Sequence, residues 1–303
     1  MTQAPDARHV TVGDLQLHML DWGGDGPALI FLAGSANTPH VFDGIARQFT
    51  DRFRVLGLTR RGHGASDQPA SGYDVDTLAS DIVGFMDAIG IEKATLVGHS
   101  FAGREMAKVA GRHPERVSKL VFLDALYEYL DEDVALFGED PAPPPPAVPE
   151  SFASVAEYCE DFVTRYPAYR PLRSPQWDAW WALTLRQRED GRFVERIRPE
   201  TAKQLYGNMV GYQSDLSAIR CAVLAVFAYQ TAEWVMLDGV SDELRQRIVE
   251  YMERMHRTFK DRNLARARTE IENVTIVVLE NTSHYCFLDR AADVVEAMRS
   301  FLT

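Results

Sequence analysis

Leu96-Val97-Gly98-His99-Ser100-Phe101-Ala102-Gly103 is the stretch that decides the fold of this chain. A short apolar run, Ala94–Val97, ends in a sharp turn with a serine at its apex, and a helical stretch, Ala102–Gly111, begins at once. A side chain held at such an apex needs strained backbone angles, so its near neighbours must be small. Gly98, Ala102 and Gly103 satisfy that demand. The geometry lifts the hydroxyl out of the sheet and aims the first N–H groups of the helix at the same space. The plain alternative is a Gly-Ser turn before an ordinary helix. The strand before the serine and the helix after it favour a nucleophile instead.

Outward from this turn, strand-like and helix-like blocks alternate. Ala28–Leu32 is a continuous apolar run, the pattern of a strand buried on both faces, and Arg54–Leu58 and Val117–Leu123 read as further strands of the same kind. His9–Val12 and Leu15–Leu20 read as two strands joined at Gly13-Asp14, and helices are expected near Val41–Phe49 and over Val75–Ile89. Such alternation implies right-handed crossovers and a mostly parallel central sheet flanked by helices, an α/β fold.

After Asp124 the rhythm breaks. Six prolines (Pro141, Pro143, Pro144, Pro145, Pro146 and Pro149) make residues 141–149 a stiff connector. The block that follows, to about residue 215, is helical in composition and rich in aromatic residues. The sheet pattern resumes at Ala222–Ala228, followed by a charged helical stretch over Ser241–Ala267, a last buried strand at Val274–Leu279 and a closing helix over Ala292–Phe301. The expected organisation is a core of residues 1–124 and 216–303 interrupted by a helical cap, 125–215. The charged stretch reads as a solvated face.

Composition narrows the class. The 303 residues are 46% hydrophobic and 25% charged, as in an ordinary globular protein, and the formal net charge is −12. Phosphate-binding surfaces need clustered Lys and Arg, so nucleic acid is not an expected partner, and neither is an anionic membrane. Three scattered cysteines (Cys159, Cys221 and Cys286) make no disulfide framework or zinc motif. With no apolar leader segment and no span of about 18 apolar residues, the expectation is a cytoplasmic protein acting on a small molecule, without cofactor or metal.

At this point the chain resembles the α/β-hydrolase family, over nearly its whole length. The resemblance is carried by the Gly98-x-Ser100-x-Ala102 turn, where strict members have glycine at the last place, and by four other segments. Phe31-Leu32-Ala33-Gly34-Ser35 is similar to the family's oxyanion loop. Thr59-Arg60-Arg61-Gly62-His63-Gly64-Ala65-Ser66-Asp67 is similar to its Arg-Gly-x-Gly-x-Ser loop, and Arg112-His113-Pro114-Glu115-Arg116-Val117 to the segment before its sixth strand. Asn281-Thr282-Ser283-His284-Tyr285 is similar to its histidine loop. The resemblance implies oxyanion donors at the backbone N–H groups of Ser35 and Phe101.

A hydroxyl is a weak nucleophile at neutral pH and needs a base to take its proton. His284, late in the chain after a buried strand, is the expected base. His99 adjoins the serine and is expected to face away from it. The orienting acid departs from the family's usual pattern. The seventh strand continues into Tyr229-Gln230-Thr231-Ala232, with no carboxylate before Glu233. A variant within the family takes the acid from the end of the sixth strand, where this chain has Asp124; Glu233, Asp238 and Glu128 are the alternatives. In the cap, Trp177, Trp180 and Trp181 share one helical stripe. It either packs the cap onto the core or, in part, lines an apolar substrate pocket.

The function these readings imply is a serine hydrolase for a small ester, thioester or lactone, its kcat/KM rising through about pH 6–7 as the base deprotonates. The alternatives are a C–C bond hydrolase, a hydroxynitrile lyase, a perhydrolase or a slow-turnover ligand receptor. Dehalogenases and epoxide hydrolases need a carboxylate nucleophile, which Ser100 is not.

Overall fold

The computed structural model describes residues 4–207, 209–231 and 241–303. Ten strands are described: β1 (Asp6–Val12), β2 (Leu15–Gly23), β3 (Ala28–Leu32), β4 (Arg54–Leu58), β5 (Ala94–His99), β6 (Val117–Leu123), β7 (Leu185–Gln187), β8 (Phe193–Glu195), β9 (Ala222–Tyr229) and β10 (Val274–Glu280). Eight of them form one sheet in the order β1-β2-β4-β3-β5-β6-β9-β10. The β1–β2 and β2–β4 pairs are antiparallel, and from β4 to β10 every pair is parallel.

Side chains alternate across the sheet, so each strand feeds two apolar layers. On one face Ile30, Leu96, Leu120 and Ala225 pack under α1 (Val75–Ala88) and α2 (Ala102–Arg112). On the other, Phe31, Val97, Val121 and Val226 pack with a short helical segment, Asp43–Ala46, and with the closing helix, Ala291–Leu302. The apolar run Ala28–Leu32 is therefore buried on both faces, as the sequence implies, whereas Val274–Leu279, expected to be buried, is the edge strand of the sheet and leaves Thr275 and Val278 exposed. The stretch near Val41–Phe49 is not one helix but a succession of short turns.

Between β6 and β9 lie α3 (Asp131–Gly138), α4 (Val155–Arg165), α5 (Pro175–Ala182) and α6 (Pro199–Gly207). Ser154 and Ser174 start α4 and α5 by accepting the N–H groups of Glu157 and Trp177, which gives each helix a capped first turn. The insertion also holds the two-stranded hairpin β7–β8, which a purely helical reading misses. Residues 141–149 are neither helix nor strand, and Leu216 and Ile219 are back in the sheet core.

The charged stretch after β9 forms α7 (Asp242–Met255), a single π turn (His256–Lys260) and α8 (Asp261–Glu270). It is not simply a solvated face. Ile248, Tyr251, Met252, Met255 and Phe259 bury a stripe against Leu136 of α3. Among the described residues, no helix is long and apolar enough to cross a membrane.

Parallel register fixes where chemistry can collect. His99 pairs with Leu123 and Leu123 with Val226, so β5, β6 and β9 end side by side. The residues that follow them share one edge of the sheet, where open α/β folds bind ligands.

Candidate active site

Ser100 leaves β5 with φ +54° and Asp124 leaves β6 with φ +49°, both in the left-handed region. Non-glycine residues there carry about 1–3 kcal/mol of strain, which the surrounding structure must hold in place. Ser100 N–H donates to Leu123 O at 3.4 Å, and Asp124 N–H donates to Val226 O at 2.8 Å, so each turn is tied to the neighbouring strand. The small residues have direct steric reasons. A Cβ on Gly98 would sit 2.6 Å from the Met106 sulfur, and one on Gly103 would sit 1.9 Å from Ala125 O.

Ser100 and His284 line the same cavity of about 140 Å³, together with Gly34, Ser35, Phe101 and Arg104. His284 Nδ1 donates to Asp124 Oδ2 at 2.6 Å, which leaves Nε2 as the nitrogen available to the cavity. The histidine loop is braced from three sides. Asp289 accepts from Thr282 Oγ1 and Ser283 N–H, each at 2.8 Å. Asn37 Nδ2 donates to Tyr285 Oη at 3.0 Å.

The third brace is His99, whose Nε2 donates to His284 O at 2.9 Å while its ring sits 4.4 Å from the His284 ring. His99 thus lines the cavity and does not face away from the serine, correcting the expectation from the turn. Burial, then the neighbouring His284 charge, holds its pKa well below the ordinary value, so the brace is a neutral imidazole.

Asp124 is 1% exposed and fully partnered. Its Oδ1 accepts from Ala228 N–H at 2.8 Å and from the Tyr127 hydroxyl. Lys260 Nζ lies 3.2 and 3.3 Å from its two oxygens. Burial alone would raise this carboxyl, but the Lys260 charge, then the His284 and Tyr127 contacts, outweigh it and hold the pKa well below the usual range. Of the alternative acids, Glu128 is turned toward Arg266 at 3.2 Å, and Glu233 and Asp238 lie outside the described residues.

The oxyanion-loop segment is held by Arg60 of the Arg-Gly-x-Gly-x-Ser loop. Its guanidinium donates to Ala33 O at 2.9 Å and to Gly34 O at 3.4 Å, and it pairs with buried Glu105 on α2. With those carbonyls turned to Arg60, the Ser35 and Phe101 N–H groups have no acceptor among the described residues. Ser35 Oγ shares a 2.8 Å hydrogen bond with Tyr206 Oη from α6.

The three tryptophans do not line this cavity. Trp177 and Trp181 are 1% and 6% exposed, inside a cluster with Phe152, Tyr158 and Leu185, and Trp177 meets Tyr285 edge to face at 6.1 Å. Trp180 packs beside them. Trp180 also packs against the sheet core, so the stripe buries indole surface within the insertion and against the core, and Trp177, Trp180 and Trp181 are corrected from pocket lining to packing.

The wall is supplied instead by Tyr127, Tyr129, Tyr206 and Met209. These residues, like Lys260, were missed. The only signal for Tyr127 and Tyr129 was their alternation just beyond Asp124, and for Tyr206 the aromatic richness of its block.

A family model described as alpha/beta hydrolase fold matches residues 27–164. Among curated proteins, the chain is 33% identical over 118 residues to a 2-(acetamidomethylene)succinate hydrolase of Mesorhizobium japonicum, covering 39% of this chain and 42% of that one. It is 32% identical over 164 residues to a fluoroacetate dehalogenase of a Burkholderia species, covering 49% and 54%. The chain thus spans only about half the length of these relatives. A solved E-2-(acetamidomethylene)succinate hydrolase superposes with TM-score 0.73 and 20% identity, over 98% of this chain and 99% of that one. By strand order, by the family match over residues 27–164 and by superposition along nearly its full length, this chain has the alpha/beta-hydrolase fold.

Proposed function

We propose that this protein is a serine hydrolase that cleaves a small ester, thioester or lactone through an acyl-enzyme on Ser100. The observation that carries the reading is that the strained serine and His284 face one cavity while Asp124 Oδ2 holds the far side of the imidazole at 2.6 Å. In this reading Ser100 Oγ attacks the substrate carbonyl as His284 Nε2 takes its proton. Asp124 keeps Nδ1 protonated and stabilises the imidazolium that forms. The carbonyl oxygen gains negative charge and turns toward the N–H groups of Ser35 and Phe101; one such donor is worth about 3 kcal/mol of barrier. Collapse expels the alcohol, thiol or ring oxygen, which takes the proton back from His284. Water, deprotonated by the same imidazole, then releases the acid and restores the serine.

The cavity suits a compact and polar substrate. Arg104, one helical turn beyond Ser100, brings a buried positive charge to the wall, and Tyr129 and Tyr206 add phenol side chains. A guanidinium on the wall of the cavity favours substrates that carry a carboxylate.

The test is labelling with a fluorophosphonate, read by intact-protein mass. One adduct on the native protein and none on Ser100→Ala is expected. Labelling that persists in Ser100→Ala, or none in the native protein, overturns the reading.

A further inference from the structure

The helical stretch after β9 carries its one π turn at His256–Lys260, between α7 and α8. Phe259 ends the apolar stripe, and in an unbroken α-helix the next residue points about 100° away from it. Here Phe259 and Lys260 are both buried, at 4% and 7% exposure. The extra residue of a π turn is a common device at functional sites. It delivers Lys260 Nζ to a closed set of partners: both oxygens of Asp124, Tyr127 Oη at 2.8 Å and Ala228 O at 2.7 Å. An ammonium taken out of water needs such partners, because its desolvation is repaid only by charge and good hydrogen bonds. The carboxylate that orients His284 is thereby shared with a fixed cation.

We propose that Lys260 is a positioning residue that sets the working pH range of this site by dividing the Asp124 charge between itself and His284. The proposal rests on the serine-hydrolase reading. An imidazolium beside an unshared carboxylate is strongly favoured. Beside a carboxylate already paired with an ammonium it is favoured less, and removing the ammonium would leave His284 the sole cationic partner of Asp124. The same cation holds the carboxylate in place against the strained turn at Asp124.

The other titratable groups around the pair hold their charge state. Burial raises the hydroxyls of Tyr127, Tyr129, Tyr169 and Tyr229 and the Cys286 thiol, and it keeps His99 neutral. Burial and then the Lys260 charge also pull His256 below its ordinary value. Asp261, next to Lys260, is turned to the Tyr229 hydroxyl at 2.6 Å.

The experiment measures the second-order rate of fluorophosphonate inactivation from pH 5 to 9 for the native protein, Lys260→Arg, Lys260→Gln and Lys260→Met. Removing the charge is expected to move the acid limb up by about one pH unit, a loss of about tenfold on the acid side with the alkaline plateau within about threefold. Lys260→Arg keeps the native limb. Lys260→Gln retains a donor for Ala228 O, so it decides the question if Lys260→Met does not fold. A limb unmoved in both neutral variants, or a uniform loss at every pH, overturns the proposal and leaves Lys260 as packing. Absence of labelling in the native protein, by contrast, strikes the serine-hydrolase reading and not the part assigned to Lys260.

Discussion

Asp124→Asn is expected to lower kcat by about four orders of magnitude while the protein stays folded, because an amide in place of the carboxylate holds the imidazole in the wrong tautomer. The backbone of the turn accepts this substitution. Asparagine tolerates the left-handed backbone that Asp124 adopts at φ +49°, so the turn after β6 need not rearrange. The acceptor for Ala228 N–H and the Tyr127 hydroxyl is kept, while the buried Lys260 ammonium loses its counter-charge and one of its two Asp124 oxygens, so a loss of stability accompanies the loss of turnover. Turnover of a p-nitrophenyl ester, with circular dichroism as the check on folding, reads the effect. Near-native turnover would move the orienting role to another carboxylate, Glu233 first among them.

The same carboxylate links stability to pH. Its folded pKa is held below the unfolded value of about 3.9, so the stability it contributes is present above that pH and is lost as pH falls through the folded value.

Arg60→Leu is expected to destabilise the fold by about 3–5 kcal/mol, since it leaves Glu105 charged and buried without its partner. Arg60 and Glu105 are 9% and 2% exposed, and their pair joins the helix that follows the serine to the loop before Ser35. Loss of Arg60 also strips the carbonyls of Ala33 and Gly34 of a donor. Burial raises the Glu105 carboxyl despite Arg60, which marks the pair as costly to bury and not as a free source of stability. The double variant Arg60→Leu/Glu105→Leu should therefore recover most of the urea-unfolding free energy while activity stays low, because the oxyanion loop remains unbraced. A single variant as stable as the native protein would show that the pair carries no such constraint.

The fold was legible because its central strands are short and mostly apolar. Ala28–Leu32, Arg54–Leu58 and Val117–Leu123 need burial on both faces, and their ends coincide with the observed strands. The serine turn was legible for a steric reason, since only small residues fit at Gly98 and Gly103.

What the residues alone could not reveal depends on contacts across long loops. A π turn leaves no mark in periodicity, so Lys260 read as one more charge on a solvated helix. The tryptophan stripe was correctly seen as one face, but its partner, the core of the insertion around Phe152 and Tyr158, comes from distant segments. The hairpin β7–β8, with strands of three residues each, is too short for alternation to register.

The central claim is that the Ser100 hydroxyl reacts while the Ser35 and Phe101 amides receive the developing charge. A crystal structure of the fluorophosphonate adduct tests this most directly. Phosphorus bonded to Ser100 Oγ is expected, with its free oxygen about 2.7–3.1 Å from both amide nitrogens. An adduct on another side chain, or an oxygen turned away from both amides, would contradict it.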